Sequence, residues 1–111
     1  MSMASDELVD RIRDLLPPRV HCIEKKMFGG VAFMHRGNML VAPFKDGSML
    51  ARVGKEGMDN ALALPGVSVM DMAGRSMSGF VIVSGDAIED DDDLRAWLDR
   101  CLAFVETLPQ K

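Results

Sequence analysis

Two turn-forming pairs, Gly37-Asn38 and Asp46-Gly47, bracket the apolar run MLVAPF and leave it little room for anything but a strand. Gly-Asn suits a two-residue hairpin with positive φ at its first position, and Asp-Gly suits the mirror-image type I turn, so each pair reverses the chain between antiparallel neighbours. The runs RVHCIEKKMF, VAFMHR and SMLARV on either side carry β-favouring residues, and with MLVAPF they predict a central β-meander. Pro43 lacks the amide hydrogen a central ladder needs, which places it near a strand end, at a bulge or on a non-bonded edge.

Helices flank the meander. From Ser5, the expected N-cap, the residues Leu8, Val9, Ile12, Leu15 and Leu16 recur at helical spacing, with Asp6 and Glu7 in the acid-favouring first turn and Pro17-Pro18 as the stop. GKEGMDNALAL predicts a short middle helix with Met58, Ala61 and Leu62 inward, ended by Pro65-Gly66. VSVMDM and GFVIVS predict one or two further strands. Leu94, Trp97, Leu98, Cys101, Leu102, Val105 and Leu108 then trace one face of a closing helix that ends before Pro109. This order predicts a two-layer α+β domain in which helices cover one face of an antiparallel sheet.

The chain of 111 residues, 48% of them hydrophobic, has the length and apolar content of one domain spanning 1–111. No run reaches the ~18 apolar residues of a membrane span, and the first residues have neither the basic nor the apolar part of an export leader, so a cytoplasmic protein with free thiols at Cys22 and Cys101 is expected. A net charge of −4 disfavours general nucleic-acid binding. The charge is uneven, however: Arg19, Lys25, Lys26, Arg36, Lys45, Arg52 and Lys55 make a basic middle, and the segment from Ser76 onward is acidic. Ten methionines against no tyrosine read first as filler of an irregular core.

Few residues form a chemical constellation. Gly29-Gly30 follows Lys25-Lys26 instead of preceding a Lys-Ser or Lys-Thr and lies between strands, so it reads as a turn or bulge and not as a phosphate loop. GRSMSG has the wrong glycine register for a nucleophile elbow. His21, Cys22, His35 and Cys101 lack paired zinc spacing, and adjacent His21 and Cys22 would face opposite sides of a strand. The acidic run Glu89 to Asp93 lacks the pattern of a calcium loop and reads as capping and dipole complement for the closing helix. No catalytic residue, metal or cofactor is expected.

Taken together, KKMFGGVAFMHRGNMLVAPFKDGSMLARVG, the later GRSMSGFVIV and the acidic approach to LRAWLDRCLAFVETLP resemble the TfoX N-terminal domain family. The resemblance rests on Met27-Phe28-Gly29-Gly30, its spacing to Asp46-Gly47 and Arg75-x-Met77, and covers nearly the whole chain. It implies a two-layer α+β fold with an antiparallel sheet of about five strands. In longer members this domain precedes a helical C-terminal domain, and those proteins regulate natural competence together with a transcription activator; with the sequence running to Lys111, a single-domain relative is expected here. No catalytic residues carry over.

The resulting expectation is a non-enzymatic regulatory or adaptor domain that binds protein, self-association included, through a surface drawn from Lys25, Lys26, Met27, Phe28, Arg36 and Arg75. Two alternatives are an anionic-ligand or enzymatic pocket formed by Lys25, Lys26, Arg36 and Arg75 with His35 nearby, and direct DNA binding through the basic middle.

Overall fold

The computed structural model describes residues 3–18, 20–27, 30–44, 46–72 and 75–109. Helix α1 (Met3–Leu15) leads into strands β1 (Ile23–Met27), β2 (Gly30–His35), β3 (Asn38–Pro43) and β4 (Met49–Arg52). A short α2 (Met58–Leu62) connects to β5 (Val67–Met72) and β6 (Arg75–Val83), and a 3₁₀ turn (Gly85–Ile88) precedes the closing α3 (Asp91–Val105). The strands form one six-stranded sheet in the order β1-β2-β3-β4-β6-β5, every neighbouring pair antiparallel. The fold is therefore the expected α+β class, with one strand more than the expected five because VSVMDM and RSMSGFVIV are both long enough to pair.

α1 and α3 cover one face of the sheet. Leu8, Val9 and Ile12 of α1 and Leu94, Trp97, Leu98, Cys101, Leu102 and Val105 of α3 are buried against Phe33, Val41, Met49, Ala51, Val81 and Val83. Full burial of one such Leu or Phe is worth about 2 kcal/mol, so the stripe read from the sequence carries much of the stability. Leu40 and Val41 are adjacent, yet both sit in this same core. The reason is a bulge: between the pairs Phe33↔Val41 and Met34↔Met39, β3 advances two residues while β2 advances one.

Several local expectations need correction. α1 begins at Met3, so Ser5 lies inside the helix instead of capping it. The reversal between β2 and β3 falls on Arg36 (φ 56°) and Gly37 (φ 81°), with His35 paired to Asn38. Positive φ at both central residues defines the mirror-image type I hairpin, one residue earlier than Gly37-Asn38 would place it. Asn38 is held out of the turn because it is buried and its side-chain amide donates to the Pro109 carbonyl (3.0 Å) and to the Arg36 carbonyl (3.4 Å).

The second reversal is also longer than two residues. The Phe44 N–H donates to the Ser48 carbonyl (2.8 Å), the Gly47 N–H donates to the Phe44 carbonyl (3.1 Å), and among the described residues of the loop only Gly47 takes positive φ (89°). Asp46 keeps ordinary φ and serves the loop through its carboxylate, which accepts from the Ser48 N–H (2.9 Å) and hydroxyl (2.5 Å). Pro43 ends β3, a strand-end position as expected. Gly30 is the first residue of β2, paired with Met27, while Phe28 and Gly29 lie outside the described residues. At α3, Asp90 is the N-cap residue but makes no side-chain capping bond; Asp91, Asp92 and Asp93 complement the dipole in the first turn, and Asp91 also accepts from Arg11 Nε (3.0 Å).

Candidate functional site

The face of the sheet away from α1 and α3 holds a second apolar cluster. Ala32, Ala42 and Leu50 are fully buried there, with Met34, Met39, Phe44, Phe80 and Ile82 half-buried around them. All described members come from strands or the β3–β4 loop, and none from a helix. The cluster follows from the sequence pattern: Leu50 alternates with Met49 and Ala51, and Ile82 with Val81 and Val83, so both phases of these strands are apolar and both faces become hydrophobic.

At the β1 edge of this face the register sets Ile23 beside Met34 and Lys25 beside Ala32. Ile23 is 64% exposed, the most exposed large hydrophobic among the described residues. Glu24 pairs with Phe33 and so faces the helices, where its carboxylate accepts from Arg13 Nε (2.7 Å) and Nη2 (2.5 Å). That bidentate bond holds the Glu24 carboxyl below its ordinary range. Arg52 closes β4 opposite Phe80, its guanidinium 5.3 Å from the centre of the Phe80 ring and 6.0 Å from that of Phe104.

The cations expected to form one surface are dispersed. Lys25 and Lys26 are consecutive, exposed residues of β1, so their side chains leave opposite faces. Arg75 opens β6, four strand positions away from β1, or roughly 19 Å at ~4.8 Å per strand. Its side chain, like that of Met27, lies outside the described ones.

Arg36 serves the end of α3: its Nη1 donates to the Glu106 carbonyl (3.2 Å). Beside it, His35 Nε2 lies 3.3 Å from Glu106 Oε2. With Asn38 on Pro109, the β2–β3 turn thus gathers three contacts around the carbonyl-rich C-terminus of α3, where a cation is favoured by the dipole.

Thiol chemistry finds no support. Cys22 and Cys101 are both free, and neither is poised as a thiolate. Partial burial, aided by nearby Glu24, pushes Cys22 up to about 11, and complete burial pushes Cys101 up to about 12. His21 and Cys22 precede β1 instead of alternating within it. Among the described residues no group of three or more His, Cys, Asp or Glu is placed to hold a metal ion, and no helix is long and apolar enough to cross a membrane.

The helix-free face was not read from the sequence as a site. Its signal was available in the continuous apolar stretches MLVAPF and GFVIV, which mark strands buried on both sides where a one-sided sheet shows alternation. Comparison with known proteins gives one result: the model of the TfoX N-terminal domain matches residues 14–105. No curated protein and no solved structure matches the chain.

Proposed function

Since the chain belongs to the TfoX N-terminal domain family, which is associated with competence regulation, we propose that it is a non-enzymatic regulatory domain acting through protein–protein contacts. The observation that carries this reading is the apolar cluster on the helix-free face, rimmed by exposed Ile23 and by Lys25. Half-buried Met and Phe side chains around a packed centre form the kind of adaptable apolar surface that re-packs against a partner. Met27, Phe28 and Arg75 enter the surface on the sequence argument alone. Arg36 acts from beneath, through the end of α3. Lys26 is assigned to solvation of the β1 edge.

The test replaces Ile23 and Met39 by lysine, each alone, because neither belongs to the fully buried core. Sedimentation velocity follows self-association, and affinity capture from cells that make the protein follows other partners, with circular dichroism as the check on folding. The expected outcome is a partner or an oligomer that the folded Ile23→Lys and Met39→Lys proteins lose. A protein that is monomeric and captures the same set with or without either substitution refutes the reading.

A further inference from the structure

On the far side of the molecule a surface cleft of about 460 Å³ opens between α3, the turn after α2 and the 3₁₀ turn. Leu64, Pro65 and Ala87 form its apolar wall, and Asp93, Trp97 and Arg100 line it from one face of α3. Its two turns are locked together. The Ser84 N–H donates to the Gly66 carbonyl (2.8 Å), and Gly66 has φ 77°, with room for no side chain between Ser84 and Ala87. The backbone therefore fixes one wall of the cleft.

Trp97 is 6% exposed, and its indole N–H makes no hydrogen bond to any described residue. All buried side-chain nitrogens and oxygens among the described residues are bonded, so this N–H is one that reaches solvent, and the cleft is the opening that Trp97 lines. Asp86 and Asp93 likewise make no ion pair or hydrogen bond with a described residue. Arg100 lines the same cleft but takes neither carboxylate, and its guanidinium lies 5.4 Å over the Trp97 ring. Arg11 and Arg13, by contrast, both bind carboxylates.

We propose that the cleft binds an apolar primary amine bearing an adjacent carbonyl, the chemistry shared by the N-terminal residue of a peptide and by a free amino-acid amide. The ammonium is taken by Asp86 and Asp93, which outweigh Arg100. The carbonyl accepts the Trp97 N–H, and the apolar body rests on Leu64, Pro65 and Ala87. The volume falls within the range of small-ligand pockets. An anion finds only Arg100, already stacked on the indole.

Trp97 is the sole tryptophan, and the chain has no tyrosine, so its fluorescence reports on the cleft directly. Titration with L-phenylalaninamide is expected to give a saturable change. Phenethylamine, which lacks the carbonyl, binds more weakly, and 3-phenylpropionate gives no saturable change at equal ionic strength. Asp86→Asn and Asp93→Asn each weaken phenylalaninamide binding by about three- to tenfold. Asp99→Asn, exposed on α3 but outside the cleft, leaves it unchanged. A peptide beginning with phenylalanine that binds more tightly than the amide identifies a peptide terminus as the ligand; equal binding identifies the free amide class. The proposal is overturned if 3-phenylpropionate binds as tightly as the amide, if Asp99→Asn matches Asp86→Asn, or if no probe saturates by about 20 mM.

Discussion

Gly54→Ala is expected to be among the most damaging single-methyl additions in this protein. Gly54 sits just beyond β4 at φ 80°, and a Cβ there would stand 2.5 Å from Phe104 Cδ1 and 2.9 Å from Cζ. The backbone is not free to relax, because the amides of Val53 and Gly54 donate to the same Gly79 carbonyl at 2.8 and 3.0 Å. The left-handed conformation costs a non-glycine residue about 1–2 kcal/mol. Displacing the Phe104 ring from its packed place and from Arg52 adds about 1–2 kcal/mol. A total of about 3 kcal/mol lowers the melting temperature of a domain this size by roughly 12 °C. Urea unfolding followed by Trp97 fluorescence and by far-ultraviolet circular dichroism measures it. A double-mutant cycle separates the two contributions: with Phe104→Ala already present, Gly54→Ala retains only its backbone part, so the coupling is about 1–2 kcal/mol. A loss below about 0.5 kcal/mol, or a coupling near zero, shows that the glycine is not there to admit the ring.

Three further outcomes are expected. Arg11 Nη2 donates to the carbonyls of Ile88 (2.7 Å) and Glu89 (3.0 Å), and its Nε donates to Asp91 (3.0 Å). Arg11→Ala therefore costs about 2 kcal/mol in urea unfolding, and Arg11→Lys restores less than half because one ammonium nitrogen cannot occupy both the Nη2 position beside the carbonyls and the Nε position beside Asp91. Asn38→Ala removes the bond to Pro109 and costs about 1 kcal/mol, with faster amide exchange over residues 105–108 as its local signature. The Glu24 carboxyl is held below its ordinary value of 4.5, chiefly by its hydrogen bond from Arg13. Stability from this pair is present above the unfolded-state value and fades as pH falls through the lower folded one. Glu24→Gln thus lowers the urea midpoint slightly at pH 7, and the difference closes under acid; a gap that persists at pH 2 contradicts the assignment.

The sequence showed best what repeats, and least what depends on a single distant contact. The stripe from Leu94 to Leu108 needs only a period, and α3 buries its members as far as Val105, while Leu108 falls past the helix end and is half-buried. The β2–β3 turn needs a register, which local preference alone misplaces by one residue. Gly37-Asn38 is a good hairpin pair by itself, but the Asn38 amide is drawn to Pro109, 71 residues on, and the turn moves back onto Arg36. The acidic run belongs to the start of α3 as its composition suggests, yet the N-cap residue Asp90 makes no capping bond, and Asp91 reaches Arg11 on α1, a contact no local pattern announces. Gly54 left no mark at all: nothing near it in the sequence announces an aromatic ring from α3.

The same long-range contacts decide which part of the sheet is suited to a partner. The arginines that look most available in the sequence are engaged within the fold: Arg13 on Glu24, Arg36 on the end of α3, Arg52 over Phe80 and Phe104. The cations left free on β1 are Lys25 and Lys26, and lysines on an edge strand discourage another strand from adding there, because an incoming chain must desolvate or oppose them. Contact through the β1 edge is therefore disfavoured by the residues that stay free on it. Contact through the helix-free face is favoured, since only there do apolar side chains from β2, β3, β4 and β6 lie together without a helix over them. On this basis Lys25→Ala, which loosens the edge and extends the apolar rim next to Ala32, strengthens partner capture, whereas Lys26→Ala, on the opposite side of the same strand, leaves it unchanged. Equal effects of the two would move the contact from the face to the edge.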